Sequence, residues 1–81
     1  MLTKDIKKGM RVQLRNGWFG TMAENCRTNT PMVTVEGYET ETGSVYVFDI
    51  ARVQIRDNYW ACVELTDRQQ KFREQVKAMG F

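Results

Sequence analysis

The sequence predicts a mainly β domain: a small barrel of five to six antiparallel strands followed by a C-terminal α-helix. Three observations carry this. Between Arg11 and Met22, apolar and polar residues alternate on either side of an Asn16-Gly17 dipeptide, the pattern of a half-buried strand, a tight turn and a second strand. Further β-branched and aromatic runs follow, each bounded by polar turn residues. Thr66-Asp67-Arg68-Gln69 then has the form of a capping box and opens a stretch with an apolar stripe at helical spacing. At 81 residues the chain is one domain, with residues 9–65 as the barrel and 66–79 as the helix. A domain of this size buries only about 60–65% of its unfolded surface, so docking the helix, or self-association into a homo-oligomer, would add needed burial.

The elements follow in order. Lys4 to Gly9 is a lead-in ending in a turn. Arg11–Asn16 is the first strand, with Val12 and Leu14 on one face. Asn16 and Gly17 both tolerate positive φ and suit the turn. Phe19–Glu24 is the second strand, and Gly20 within it marks a bulge or sharp bend. Residues 25–31 form a polar loop, long for a hairpin, closed by Pro31. Met32–Tyr38 is the third strand and residues 39–43 a polar turn. Ser44–Phe48 reads as a fourth strand with both faces apolar. Residues 49–51 read as a turn, Arg52–Arg56 as a fifth strand, and Asp57-Asn58 as another turn. Tyr59–Leu65 forms a sixth strand with Tyr59, Ala61, Val63 and Leu65 on one side. In the helix, Phe72, Val76 and Met79 make the stripe, and Gly80 is a natural residue just past the end. A lone helix of about 13 residues is marginal in water, so the stripe is expected to dock.

Composition narrows the function. The chain is 42% hydrophobic and 27% charged, an ordinary folded composition. Its net charge is only +2, but the charges are segregated. Residues 1–16 carry Lys4, Lys7, Lys8, Arg11 and Arg15 against Asp5 alone. Residues 35–49 carry Glu36, Glu39, Glu41 and Asp49 with no Lys or Arg. The first segment suits a phosphate chain or is a solvated edge. There is no histidine, so the usual general base near neutral pH is missing and no enzyme is expected. Cys26, beside Arg27, lacks a basic partner and reads as structural; Cys62 reads as a small core residue. Neither these two cysteines nor the Glu36, Glu39 and Glu41 turn has metal-ligand spacing, so no metal and no cofactor are expected. The N-terminal residues lack an apolar signal core and no run reaches membrane-spanning length. A reduced, cytoplasmic setting without membrane contact is the expectation.

Binding features are stronger. Trp18 and Phe19 follow a turn glycine; a ring facing outward there can stack on a base, whereas rings facing inward would cap the core. Arg27, Thr28 and Asn29 place a guanidinium, a hydroxyl and an amide on one loop, a set suited to phosphate or a base edge. Tyr46 and Phe48 share a strand face opposite Val45 and Val47, and Trp60 alternates toward the same second apolar face. That face meets either a protein partner or the terminal helix.

Residues 9–55 resemble an SH3-like barrel and, within that group, the KOW-type motif. The matching residues are Gly9, Val12, Leu14 and the run Gly17-Trp18-Phe19-Gly20-Thr21-Met22, which echoes a glycine, two residues, a glycine, one residue and an apolar residue. The resemblance implies binding of RNA or protein. The later strands depart from it by lacking a dense basic surface. Size, one-domain layout and a capped terminal helix also resemble small accessory proteins encoded by tailed phages. That likeness implies sequestration of a nucleotide or inhibition of a host complex, such as a host-defence system. The ranking is therefore a non-enzymatic module binding a nucleotide or nucleic acid at Trp18, Phe19, Arg27, Thr28 and Asn29. Next comes a protein–protein inhibitor or adaptor of a host complex, using Tyr46, Phe48 and Trp60 or the acidic turn. Last comes a structural piece of an assembly.

Overall fold

A computed structural model describes residues 1–79. Six antiparallel strands form one sheet: β1 (Arg11–Leu14), β2 (Phe19–Met22), β3 (Met32–Glu36), β4 (Thr40–Ser44), β5 (Ile50–Arg56) and β6 (Tyr59–Cys62). Helix α1 (Asp67–Ala78) follows. The strand order is β4-β3-β2-β1-β5-β6, and among the described residues no ladder joins β4 to β6 to close a barrel. The mainly β class and terminal helix are as the sequence predicts. Gly80 lies outside the described residues.

The β1–β2 turn differs in type from the expectation. Gly17 has φ +92°, but among the described residues no non-glycine has positive φ, so Asn16 does not share the left-handed role. Gly17 N–H donates to Leu14 C=O at 3.0 Å, and Leu14 N–H donates to Trp18 C=O at 2.8 Å. This is a three-residue loop ending in a left-handed glycine. Asn16 contributes through its side chain, whose Oδ1 accepts from Trp18 N–H at 3.0 Å. Gly20 serves close approach: a Cβ there would stand 2.8 Å from Val33 Cγ1 and 2.9 Å from Thr34 O.

The fourth strand lies earlier than predicted. β3 pairs with β4 from Glu36↔Thr40 to Met32↔Ser44, so the hairpin needs Thr40–Ser44, although that segment has no apolar alternation. It is an exposed edge strand and has little to bury. The apolar run after it leaves the sheet and enters a 3₁₀ turn over Val47–Asp49. Successive residues of such a turn point about 120° apart. Val47 therefore enters the core while Phe48 is buried under α1, which accounts for a run apolar on both faces. The turn predicted at 49–51 stands instead at Val47–Asp49, and Ile50 and Ala51 already belong to β5. The last strand stops at Cys62 rather than Leu65, because Glu64 pairs instead with Leu2 in a parallel bridge.

Ile6, Val12, Met22, Val33, Val47, Ile50 and Val53 form the buried centre, joined by Cys26. Cys62 is exposed, a correction to its expected core position, because it stands opposite Arg52 on the outward face of β6. Tyr59 is exposed as well. At α1, Thr66 Oγ1 accepts from Gln69 N–H at 3.2 Å and Gln69 Oε1 accepts from Thr66 N–H at 2.9 Å, the reciprocal cap expected. The helix docks through Phe72 and buried Val76, whereas Met79 is 67% exposed. No helix among the described residues is long and apolar enough to cross a membrane.

Candidate functional site

Two regions gather binding chemistry. The first is a groove where the N-terminal lead-in, the 25–31 loop and the start of α1 meet. Backbone pairing sets this meeting: Cys26 N–H donates to Ile6 C=O at 3.0 Å, and Lys8 N–H donates to Asn25 Oδ1 at 2.9 Å. On the far side of the loop, Val47 N–H donates to Asn29 C=O at 2.8 Å. Gln69 Nε2 donates to the buried Thr3 Oγ1 at 2.6 Å and ties α1 to the same end. The result is a groove of about 510 Å³ whose lining includes Lys4, Lys7, Arg27, Thr28 and Asn29, together with Thr66 and Gln69. Among the described residues no carboxylate lines it. Three cations, a hydroxyl and an amide beside the positive end of a helix suit a phosphate group. Cys26 lines the same groove, and burial, then the nearby Glu24 charge, push its thiol pKa up. That disfavours the thiolate a nucleophile would need.

The second region is the outward face of β1, β2, β5 and β6. Strand register puts Gln13 opposite Phe19 on one side and opposite Arg52 on the other, and Gln54 opposite Trp60. β1 and β5 stand between the strands that carry Phe19 and Trp60. The two rings nevertheless meet at 5.7 Å and 62°, an edge contact made over the intervening strands. The Arg11 guanidinium lies 5.8 Å from the Phe19 centroid and that of Arg52 lies 6.0 Å from the Trp60 centroid. Arg11 is held fork to fork by Glu36, at 2.9 and 3.0 Å. The same pairing holds the Glu36 carboxyl below its usual pKa and raises that of Arg11. Arg52 donates to Gln13 Oε1, and Gln13 Nε2 donates to Gly17 C=O at 3.3 Å.

The residues singled out from sequence are distributed differently. Arg27, Thr28 and Asn29 come together in the groove, joined there by Lys4 and Lys7. Trp18 and Phe19 do not reach that groove and separate from each other. Trp18, 44% exposed, lies against Gly37 and meets Tyr38 edge-on at 6.3 Å. Phe19, 38% exposed, faces outward with Trp60. Tyr46 and Phe48 stack at 5.0 Å and 10°, with the edge of Phe72 at 6.0 and 5.7 Å. They dock the helix: Phe48 keeps only 6% exposure, while Tyr46 is half-buried. Trp60 does not join them, because it projects from the outward side of β6.

Sequence reasoning passed over Arg11, Gln13 and Arg52 as partners of the aromatics. The outward positions of Arg11 and Gln13 were legible from alternation, but the β1–β5 pairing that brings Arg52 to Gln13 is non-local. No family model, curated protein or solved structure matches the chain.

Proposed function

We propose that this protein is a non-catalytic binding module for a phosphate-bearing ligand, a nucleotide or nucleic acid. The observation that carries the reading is the groove lined by Lys4, Lys7 and Arg27 and, among the described residues, by no carboxylate. A phosphate entering it meets three cations together with Thr28 and Asn29 as hydrogen-bond groups, so neutralisation and orientation come from one lining. The KOW-type resemblance of residues 9–55 supports the same class of ligand. No step of turnover is required, and the ligand is held or sequestered.

The test is a thermal-shift panel of mono-, di- and cyclic nucleotides, ADP-ribose derivatives and pyrophosphate. Ligand at a hundred times its dissociation constant adds about 2.7 kcal/mol, which for a domain this small raises Tm on the order of 10 °C. The expected result is such a shift with at least one compound, reduced in both Lys7→Ala and Arg27→Ala. A flat panel, or a shift that both variants retain in full, overturns the groove.

One observation favours a second reading, in which the chain is a protein inhibitor or adaptor of a host complex, as in small phage accessory proteins. β4 is an edge strand paired only with β3 among the described residues, and it carries Glu41, with Glu39 just before it. An extended segment of a basic partner can add to such an edge. Thr40→Pro would weaken that addition by removing a backbone donor from the free side of β4, since the bonds to β3 fall at Glu41 and Gly43, while leaving nucleotide stabilisation intact.

A further inference from the structure

We propose that the outward face bearing Phe19 and Trp60 is a stacking platform for single-stranded nucleic acid, with Arg52 as its phosphate contact. The site is distinct from the groove and shares no residue with it. Arg52 carries the argument. The described residues hold two ion pairs, the N-terminus with Glu64 and Arg11 with Glu36. Arg52 is in neither, yet its guanidinium is placed: Gln13 Oε1 accepts from it and the Trp60 ring lies beneath it. Gln13 is itself fixed, since its amide nitrogen donates to Gly17 C=O and leaves its oxygen to face Arg52. A cation oriented by a neutral amide over an indole keeps donors for an anion, and a planar guanidinium matches phosphate. Arg11 on the neighbouring strand is the counter-case, because Glu36 already occupies its fork.

The rings define the rest of the ligand. Phe19 and Trp60 meet edge to face rather than as a parallel stack, so at most one face is taken by the other ring. Every base offers a π-face to such rings. In a duplex the base faces are taken by neighbouring pairs, so the platform selects unpaired strands. The face is also open to solvent: Arg52 is exposed, Phe19 is 38% exposed and Trp60 is half-buried. A single nucleotide gains affinity by being enclosed on most of its surface, which this face does not provide. A strand gains it by spreading contacts over several nucleotides. The same openness with an unneutralised arginine disfavours a protein partner, since charge is depleted at the core of protein interfaces.

The experiment is fluorescence anisotropy of fluorescein-labelled dT12 and U12, with a 12-base-pair duplex as control, across a salt series. The wild-type chain is expected to bind a single strand in preference to the duplex. Phe19→Leu and Trp60→Leu keep apolar bulk on the sheet but remove the ring faces; each is expected to weaken binding by about tenfold. Arg52→Gln is expected to lower the salt slope by about one. Urea unfolding midpoints verify that all three variants fold. Single-strand binding that the two ring variants retain in full overturns the platform, as does binding weakened only by Lys7→Ala and Arg27→Ala. A wild-type chain that binds no single strand overturns it too. Nucleotide stabilisation in the thermal-shift panel still decides the groove separately, so the two readings fail independently.

Discussion

Two aromatic clusters hold rings at similar distances and do different work. Tyr46, Phe48 and Phe72 lie 5.0 to 6.0 Å apart where α1 docks, with no cation over any of the three rings among the described residues. Phe19 and Trp60 lie 5.7 Å apart on the open sheet, each with a guanidinium over it. The first cluster spends its apolar surface on closing the domain. In the second, Phe19 stays exposed and Trp60 half-buried, and their neighbours are charged. Ring–ring geometry alone does not separate a packing cluster from a recognition surface; what covers the rings, and whether the nearby charge is neutralised, does.

Truncation is the strongest way to break this contrast. Phe48→Ala is expected to cost about 3 kcal/mol of stability in urea unfolding, because it removes a buried ring beneath the helix. Phe19→Ala is expected to cost about 1 kcal/mol, because its ring is only partly covered and keeps 38% exposure. Equal costs would mean that the outward pair is also structural. A second pair of variants probes the sheet beneath. Gly20→Ala is expected to destabilise by about 1–3 kcal/mol, since its methyl group meets β3. Gly43→Ala, where nothing lies within 4 Å, is expected to be neutral or stabilising by about 0.5 kcal/mol.

Charge provides a finer separation. Because Glu36 is held below its usual pKa, its pairing with Arg11 is intact above the unfolded carboxyl value and is lost as pH falls through the lower folded value. The pair is exposed, so the stability change is small. Its larger expected consequence is for binding. Glu36→Gln frees the fork of Arg11 beside Phe19 and is expected to tighten single-strand binding, raising the salt slope by about one. An unchanged slope would separate Arg11 from the platform. Thiol reactivity gives the smallest effect: Cys62 is expected to react with a water-soluble disulfide reagent in the native state, and Cys26 only on unfolding.

Local signals carried much of this far. Alternation in Arg11–Leu14, the Gly17 turn and the Thr66–Gln69 cap all correspond to elements of the structure. Where the sequence misled, the competing force was non-local. The polar segment Thr40–Ser44 becomes a strand because β3 offers it a ladder, and the apolar Val47-Phe48 segment leaves the sheet because core and helix need filling from two directions. The groove was half legible, through Arg27, Thr28 and Asn29; Lys4 and Lys7 reach it only through the pairing of Cys26 with Ile6. The outward platform was legible only as separate residues, since strand order and register bring Phe19, Gln13, Arg52 and Trp60 to one place.

The most direct measurement is a ¹H–¹⁵N NMR titration of the labelled protein with unlabelled dT12. Shifts are expected at the Trp60 indole N–H, the Arg52 guanidinium and the amides of β1, β5 and β6, with the Phe72 region of α1 unmoved. Shifts concentrated on α1 and the Val47–Asp49 turn, or none at the Trp60 indole while the strand binds, would contradict the division of the molecule into a sealed aromatic cluster and an open one.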